Sequence, residues 1–396
     1  MPMSSKYLLD LVRRRAPSRP VALVRISVGL AAILQGGVSY YLLPALFPGD
    51  VVRIRDFPWI PDLSPSTLPI YLAIWLAAAV GFTLGWRTRF SGVVLTGAIA
   101  YHLVVDHGVY SNHLYLLGLD VFLLTIAESG VWASVDSRRV RTKEEVPAWP
   151  IVLCAVQLSL VYGFTALAKI NPEFLSGSVL RGALALPARL RRRPLLFRSL
   201  AIVVIAVESF LAIGLWSTRL RPVAFVLGLG FHGSILMTIR ENLFAPPDLD
   251  FVVFGLIALG PYVLFLTESP GSRIVIWDDR CSFCRRWISW FRRFDWLGIH
   301  RFEGSSSVEL LNEAAIAPEE ADRELQLRGP NLRRGGFDAV RTILEVLPVS
   351  FLWAPLLAVP PIRWIGERLY KAIAIRRKCT YVISPPSGPG TKLRAG

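Results

Sequence analysis

Cysteine and histidine are scarce in this 396-residue chain, which has four cysteines and five histidines. Two of the cysteines share one short motif, so the sequence offers no disulfide framework of the kind that holds small secreted domains together. A closed four-ligand zinc site is also hard to assemble from so few candidates. Internal repeats and low-complexity tracts are absent too, which argues against a solenoid. The function must therefore lie in isolated motifs.

Charged residues are few, at 18% of the chain, whereas 53% of the residues are hydrophobic. The mean hydropathy of +0.47 is too high for a soluble globular protein of this length. The apolar residues form about eight blocks long enough to cross a bilayer. These blocks lie near residues 21–43, 68–86, 91–107, 112–128, 150–170, 196–216, 221–239 and 249–267. The sequence therefore predicts a polytopic α-helical membrane bundle.

Acidic residues are outnumbered, and the net charge is +15. Such an excess can indicate a nucleic-acid partner, but here the basic residues form short clusters beside the apolar blocks. That pattern is typical of attraction to anionic lipid and of topology signals, so we expect a lipid bilayer and no nucleic acid as partner. Arg13–Arg15 and Arg19 precede an apolar run that Arg25 interrupts, and no small-residue cleavage site follows. We therefore expect no cleavable signal peptide.

The basic clusters also predict the sidedness of the chain. The amino terminus and the clusters at 86–89, 138–143 and 219–221 fall on one side if every apolar block crosses. Because positive loops face the cytoplasm, that side is expected to be cytoplasmic. Eight crossings are an even number, so the carboxy-terminal region is expected in the cytoplasm as well. The basic cluster at 189–193 falls on the other side and argues against this orientation. The predicted localisation is the cell membrane, with both ends cytoplasmic.

A composition break at Glu268–Ser272 divides the chain. It predicts a membrane domain over 1–268, a second domain over 273–380 and a disordered Pro/Gly-rich tail over 384–396. The second domain is predicted to be a compact α/β domain. Its expected elements are strands at 273–277, 298–302 and 324–328, helices at 284–294, 337–347 and 362–377, and a basic hairpin at 328–334. The apolar run 349–359 is either core, which is favoured, or a surface that rests on the membrane.

The most informative motif is Cys281-Ser-Phe-Cys284, which follows a short apolar strand and precedes helix-patterned sequence. Strand, dithiol and helix in that order form a thioredoxin-like redox site. At the helix N-terminus, backbone N–H groups and the helix dipole favour the Cys281 thiolate, and Arg285 and Arg286 add positive charge. Cys281 is thus expected to attack, and Cys284, one turn on, to resolve the mixed disulfide. Half of a zinc site and two structural cysteines are the alternatives.

Residues 273–378 resemble the DCC family of thiol-disulfide oxidoreductases. The family's opening pattern of strand, Asp-Gly-x-Cys-x-x-Cys and helix is matched by Trp277–Cys284, with Asp279 in place of the glycine. The stretches 337–344 and 369–377 resemble the family's closing helices. This resemblance implies a thioredoxin-like fold, a redox-active disulfide and a disulfide-containing protein as partner.

Ionisable residues inside apolar blocks are costly and persist mostly for function or pairing. Lys169 ends one block, where it is either a base that loses its proton readily or a lysine that snorkels to the interface. Position alone favours snorkelling. His113 opens another block, with Asp120 on the same face two turns on, and an interfacial histidine is the default interpretation. Glu208 lies in the middle of a block and must be protonated or paired.

A metal site in the membrane half is a weaker possibility. His102 and Asp106 are spaced one helical turn apart, His107 lies beside them, and His232 belongs to another block. This ligand set is thin for any transition metal. We therefore expect no metal.

Three segments over about residues 20–267 resemble the transmembrane segments of the HTTM family, which includes the vitamin K-dependent γ-glutamyl carboxylases. They are 112–118, 162–177, and Phe231-His232 followed by Arg240. The family's functional histidine and lysine fall on His113 and Lys169, and the lysine is understood there as the base that deprotonates a reduced naphthoquinone. The carboxylases' lumenal peptide-binding domain has no counterpart in this sequence, which favours quinone binding or oxidation over glutamate carboxylation.

This second resemblance implies a naphthoquinone-like cofactor for the membrane domain. Further candidates to bind it are Asn112, Tyr115 and His232. The leading hypothesis is a membrane oxidoreductase that combines a quinone-binding HTTM domain with the dithiol domain. The second is a membrane-anchored thiol-disulfide reductase whose bundle is only an anchor or binds lipid. A third, non-enzymatic hypothesis is a transporter or assembly factor, suggested by Asp120 and Glu208 but without the inverted repeats or broken helices that transporters use.

Overall fold

The computed structural model divides the chain into two units, Met1–Glu268 and Ser269–Gly396. The structure describes residues 13–47, 57, 59–139, 142–184, 186–238, 249–307, 311 and 315–376. Arg240 and the predicted disordered tail 384–396 lie outside the described residues.

The first unit is built from apolar helices. In the described part of the chain the long ones are α1 (Ser18–Leu42), α2 (Leu68–Leu84), α3 (Thr88–Val105), α4 (Asn112–Ile126), α5 (Trp149–Ala168), α6 (Pro194–Gly214), α7 (Arg221–Thr238) and α8 (Leu249–Leu259). Each packs on the next along the chain, and α8 with the following turn Gly260–Phe265 packs on α1. The bundle is therefore closed, with α1 and α8 in contact.

Within the described ranges, four helical segments are long and apolar enough to cross a membrane. They are Ser18–Ala45, Thr88–Val105, Trp149–Ala168 and Pro194–Gly214. The shorter apolar helices are Leu68–Leu84, Asn112–Ile126, Arg221–Met237 and Val252–Phe265. Each predicted block coincides with one of these eight segments, so the helical character of the membrane half is confirmed. Eight crossings stay a prediction, because the four shorter helices fall below the usual length of a span.

Local sequence explains where several helices begin and end. Proline occupies the first turn of α2, α5 and α6, where its missing N–H costs nothing and its fixed φ suits a helix. Gly85 ends α2 in the left-handed conformation, at φ 67°, which a glycine adopts without strain. The short strands β1 (Arg15–Pro17) and β2 (Glu145–Pro147) pair antiparallel and join the start of α1 to the start of α5.

The charge that interrupts the first apolar block has a structural role. Arg25 is fully buried, and its guanidinium donates hydrogen bonds of 2.6 Å to the carbonyl oxygens of Ser129 and Ala133. It also donates a 3.3 Å bond to the carbonyl of Trp132. Arg25 therefore fastens α1 to the loop after α4, where main-chain carbonyls would otherwise lack donors.

The second unit is an α/β domain, as the sequence predicts. Its described elements are β3 (Arg273–Trp277), α9 (Ser282–Phe294), β4 (His300–Gly304), a short helix Pro318–Arg323, β5 (Gln326–Gly329), β6 (Leu332–Gly335), α10 (Gly336–Leu344) and α11 (Pro360–Arg376). The sheet order is β4-β3-β5-β6. β3 runs parallel to β4 and antiparallel to β5, which pairs antiparallel with β6.

Alternation along β3 gives this sheet two covered faces. Val275 faces a core that includes Ile288 of α9 and Ile343 of α10. Ile276 faces the opposite side and packs with Leu311 and other buried apolar residues near the short helix Pro318–Arg323. The start of α9, directly after β3, is thus held between packed layers.

Most predicted elements of this domain are confirmed, with small shifts of their bounds. β3 has the predicted bounds, whereas α9 begins two residues earlier than expected, at Ser282. The basic turn is a hairpin between β5 and β6, with Asn331 at φ 55°, a conformation that asparagine tolerates. In the apolar run 349–359, Phe351 and Ala354 are buried, which confirms a core role for those two residues, while other residues of the run are about 40% exposed.

Candidate functional site

The dithiol motif lies where β3 turns into α9. Cys281 is the residue that caps the N-terminus of α9, and its N–H donates to the carbonyl of Asp278 over 3.3 Å. Its own carbonyl accepts from the N–H of Arg285 at 3.0 Å, so the first helical turn closes over the motif. Cys284 follows within that turn. The structure thus places both sulfurs at the helix N-terminus that the sequence predicts.

The two cysteines differ in exposure and in bonding. Cys281 is fully buried and disulfide-bonded. Cys284 is half-buried, and neither it nor the buried Cys154 of the first unit is in a disulfide bond. Cys281 is therefore bonded to neither of these two sulfurs. In this state the accessible thiol of the motif belongs to Cys284. The predicted roles, with Cys281 as the attacking and Cys284 as the resolving cysteine, stay a prediction.

Asp279 stands where the DCC pattern has glycine, and the structure shows how it is accommodated. Asp279 is not among the described residues with positive φ, so the turn needs no left-handed conformation here. Its carboxylate accepts hydrogen bonds from the backbone N–H and the hydroxyl of Ser306, at 3.2 and 2.5 Å. A Cβ on Gly304 would lie 2.3 Å from Asp279 Oδ2, so a side chain at position 304 would displace the Asp279 carboxylate. The carboxylate therefore ties the cysteine turn to the loop after β4.

Positive and negative charges surround the same turn. Arg280 forms ion pairs with Asp322 at 2.5 Å and with the buried Asp278 at 3.4 Å. The hydrogen bond to Asp322 is the main reason that the pKa of Arg280 lies above its usual value. Arg285 donates to the carbonyl of Asp279 at 2.9 Å. Both arginines thus make contacts within the turn, and Arg285 lies next to Cys284 in the chain.

In the first unit, Lys169 is paired within the bundle. It caps the C-terminus of α5, and its Nζ lies 2.8 Å from both carboxylate oxygens of Glu208 on α6. The Glu208 side chain is only 6% exposed. The expectation that Glu208 is protonated or paired is thus confirmed as a pair. Because each charge has its partner, the ion pair alone explains why a lysine and a glutamate occur in this apolar bundle. A base role for Lys169 stays a prediction.

A second polar cluster lies two turns along α5 from Lys169. Tyr162 Oη is 2.7 Å from His232 Nε2 and 2.9 Å from Tyr262 Oη. His232 is 1% exposed, and its Nδ1 has no hydrogen-bond partner among the described residues. The ring of Phe254 packs edge-on against His232, at a centroid distance of 5.2 Å. Phe254 also lies near His113, at a centroid distance of 6.5 Å.

The predicted residues of the first unit are only partly brought together. His113 and His232 share the contact with Phe254, whereas Asn112 and Tyr115 are exposed on α4. The functional roles of Lys169 and His113 that the family resemblance implies stay predictions. Sequence reasoning missed Tyr162 and Tyr262, although a phenol in an apolar block signals a polar partner.

The spacing of His102 and Asp106, which a metal site could use, has a structural explanation. His102 is buried with its Nδ1 3.5 Å from the hydroxyls of Ser39 and Tyr71. Asp106 ends α3 and accepts a 2.8 Å hydrogen bond from the N–H of Gly108. Within the described ranges, no group of three or more His, Cys, Asp or Glu residues is arranged to hold a metal ion. The polar residues at the end of α3 thus act in helix packing and capping.

An apolar helical bundle joined to an α/β domain with cysteines at a helix N-terminus defines a membrane protein of the thiol-disulfide oxidoreductase class. The chain belongs to the HTTM domain family, which matches residues 15–245. Residues 275–381 match the DCC1-like thiol-disulfide oxidoreductase family. No solved structure matches the chain. The two resemblances seen in the sequence are therefore confirmed, and so is their fusion in one chain.

Proposed function

We propose that this protein is a membrane-bound oxidoreductase that exchanges electrons with protein disulfides through Cys281 and Cys284. The observation that carries the proposal is the position of both cysteines at the start of α9, Cys281 at the N-cap and Cys284 in the first turn, in a domain that matches the DCC1-like oxidoreductase family. The sheet order supports it, because a parallel β-α-β unit followed by an antiparallel hairpin is the arrangement expected of a thioredoxin-like domain.

In the reducing direction both cysteines begin as thiols. A thiolate of the motif attacks one sulfur of the substrate disulfide, forms a mixed disulfide and releases the first substrate thiol. The other cysteine then attacks the mixed disulfide and releases the second thiol. Two electrons and two protons pass to the substrate, and the protein is left with one disulfide. The α9 N-terminus lowers the cost of the thiolate in each step.

Reduction of insulin disulfides by the detergent-solubilised full chain, with dithiothreitol as electron source, tests this proposal. We expect Cys281→Ser and Cys284→Ser to lower the rate to the uncatalysed level. Cys154→Ser is the matched control, because Cys154 is a buried free thiol in the first unit and should leave the rate unchanged. Equal rates for all three variants and the unmodified protein would rule the proposal out.

For the first unit we propose binding of a lipid-soluble quinone of the naphthoquinone class. Three features support this proposal. Buried His232 Nδ1 lacks a partner among the described residues and can bond a quinone oxygen, and the ring of Phe254 offers an apolar wall beside it. Lys169, oriented by Glu208, can hold or move a proton at Nζ. A bound quinone would supply two-electron redox chemistry.

Lipid extraction of the purified protein followed by mass spectrometry tests quinone binding. We expect a naphthoquinone to copurify with the unmodified chain and with His107→Phe, a control at an exposed histidine. His232→Phe should reduce the yield at least fivefold, because the unpaired nitrogen is lost. If no quinone copurifies while insulin reduction persists, the first unit is an anchor or lipid-binding module, and the protein is an anchored disulfide reductase.

We also propose that the dithiol domain and the amino terminus lie in the cytoplasm, at the cell membrane. The basic clusters beside the apolar helices support this orientation, because positive loops stay on the cytoplasmic side.

A further inference from the structure

The second unit contains a cavity of about 320 Å³ that is lined in part by Cys284. α9 contributes Cys284 and Trp287 to its wall, and α11 contributes Tyr370 and Ala374. Trp353, the end of β3, the segment 321–325 and α10 also line it. This volume is within the range of pockets that hold small organic ligands.

The wall of this cavity is almost entirely apolar and rich in aromatic rings. A peptide strand would bring its own N–H and C=O groups into such a space, and each buried group without a partner is costly. Flat apolar molecules need no such partners and gain from offset or edge-on contacts with indole and phenol rings. The chemistry of the wall therefore favours a small aromatic ligand over a segment of polypeptide.

One polar group of the wall distinguishes among apolar ligands. Trp277, the last residue of β3, is 7% exposed, and its indole Nε1–H has no hydrogen-bond partner among the described residues. An indole nitrogen is only a donor, so its partner must offer an acceptor. A carbonyl oxygen on a flat ring meets that need, whereas a saturated hydrocarbon chain leaves the donor unpaired.

We propose that this cavity binds a flat, uncharged, two-ring aromatic molecule with carbonyl oxygens, the chemistry of a lipid-soluble quinone, against the thiol of Cys284. The proposal rests on the proposed function only for the role of Cys284 as a reacting thiol. Binding itself transfers no electrons. All lining residues of this cavity belong to the second unit, whereas the polar cluster around His232 belongs to the first.

Protection of Cys284 from alkylation tests this site on the detergent-solubilised full chain. The probe is 2,3-dimethyl-1,4-naphthoquinone, whose ring positions are blocked so that it cannot add to the thiol. We expect a saturating probe to slow labelling of Cys284 by N-ethylmaleimide at least tenfold. Ala374→Phe, which fills the cavity, should reduce the protection to less than twofold. Ala372→Phe, on the same helix but outside the cavity wall, should keep it.

Two further measurements test the hydrogen bond to Trp277. In the unmodified protein, 2,3-dimethylnaphthalene should bind about tenfold more weakly than the quinone, because it offers no acceptor to Trp277. In Trp277→Phe this difference should shrink to about twofold. Equal protection by 1-decanol would overturn the proposal in favour of a hydrocarbon-chain site, and protection by none of the three compounds would remove the site altogether. Insulin reduction by the unmodified chain is measured in parallel, so that a loss of the site and a failure of the disulfide chemistry are told apart.

Discussion

Replacing Lys169 by methionine should destabilise the membrane unit, because it leaves the carboxylate of Glu208 without its partner. In the structure the ammonium group lies 2.8 Å from both carboxylate oxygens, and the two side chains are 26% and 6% exposed. Removing one member of a buried ion pair typically costs about 3–5 kcal/mol. Glu208→Gln keeps an oxygen acceptor for the lysine, so we expect a smaller loss, on the order of 1–3 kcal/mol.

The double variant Lys169→Met with Glu208→Gln should cost less than the sum of the two single changes, since neither charge is then left alone. Unfolding of the full chain by SDS in mixed micelles, followed by circular dichroism, measures all three variants. Arg89→Met is the control, because Arg89 is 72% exposed in its pair with Glu128, and we expect it to cost less than about 1 kcal/mol. Additive single effects, or a Lys169 variant as stable as the control, would refute the buried pair.

Three further predictions follow from the structure. Without reductant, iodoacetamide should label Cys284 while Cys281 reacts only after reduction, as peptide mass spectrometry would show; labelling of both at once would contradict the bonded state. A membrane-impermeant maleimide should leave Cys284 unmodified in intact cells and label it once the membrane is opened, and labelling of intact cells would reverse the proposed topology. Burial raises the pKa of Glu345 despite its ion pair with Arg341. The protonated carboxyl therefore contributes to the free energy of unfolding in acid, and this contribution is lost as pH rises. Glu345→Gln should therefore gain stability relative to the unmodified protein between about pH 4 and about pH 7, measured by unfolding midpoints, and a constant difference would count against this burial.

The features that sequence predicts well here are those set by neighbouring residues. The bounds of β3 and the cysteine position at the start of α9 follow from a short apolar run and a helix pattern, both of which are local. The hairpin after β5 is likewise encoded by a compact turn that contains Asn331. The domain class and both family resemblances rest on such segments.

Local sequence patterns do not predict contacts between residues that are distant in the chain. Glu208 was expected to be protonated or paired, but Lys169 lies 39 positions away on another helix, and only packing of α5 on α6 joins them. Contacts across the bundle, such as Tyr162 with His232, were hidden for this reason too.

The reduction potential of a disulfide between Cys281 and Cys284, which is the product of the proposed cycle, tests the central claim most directly. The full chain would be equilibrated in buffers of defined glutathione or dithiothreitol ratio, and the thiols of Cys281 and Cys284 would be alkylated and counted by mass spectrometry. A disulfide that takes part in catalysis should show a two-electron transition between about −120 and about −270 mV. A potential below about −300 mV, typical of a structural disulfide, would contradict the assignment of this protein as a thiol-disulfide oxidoreductase.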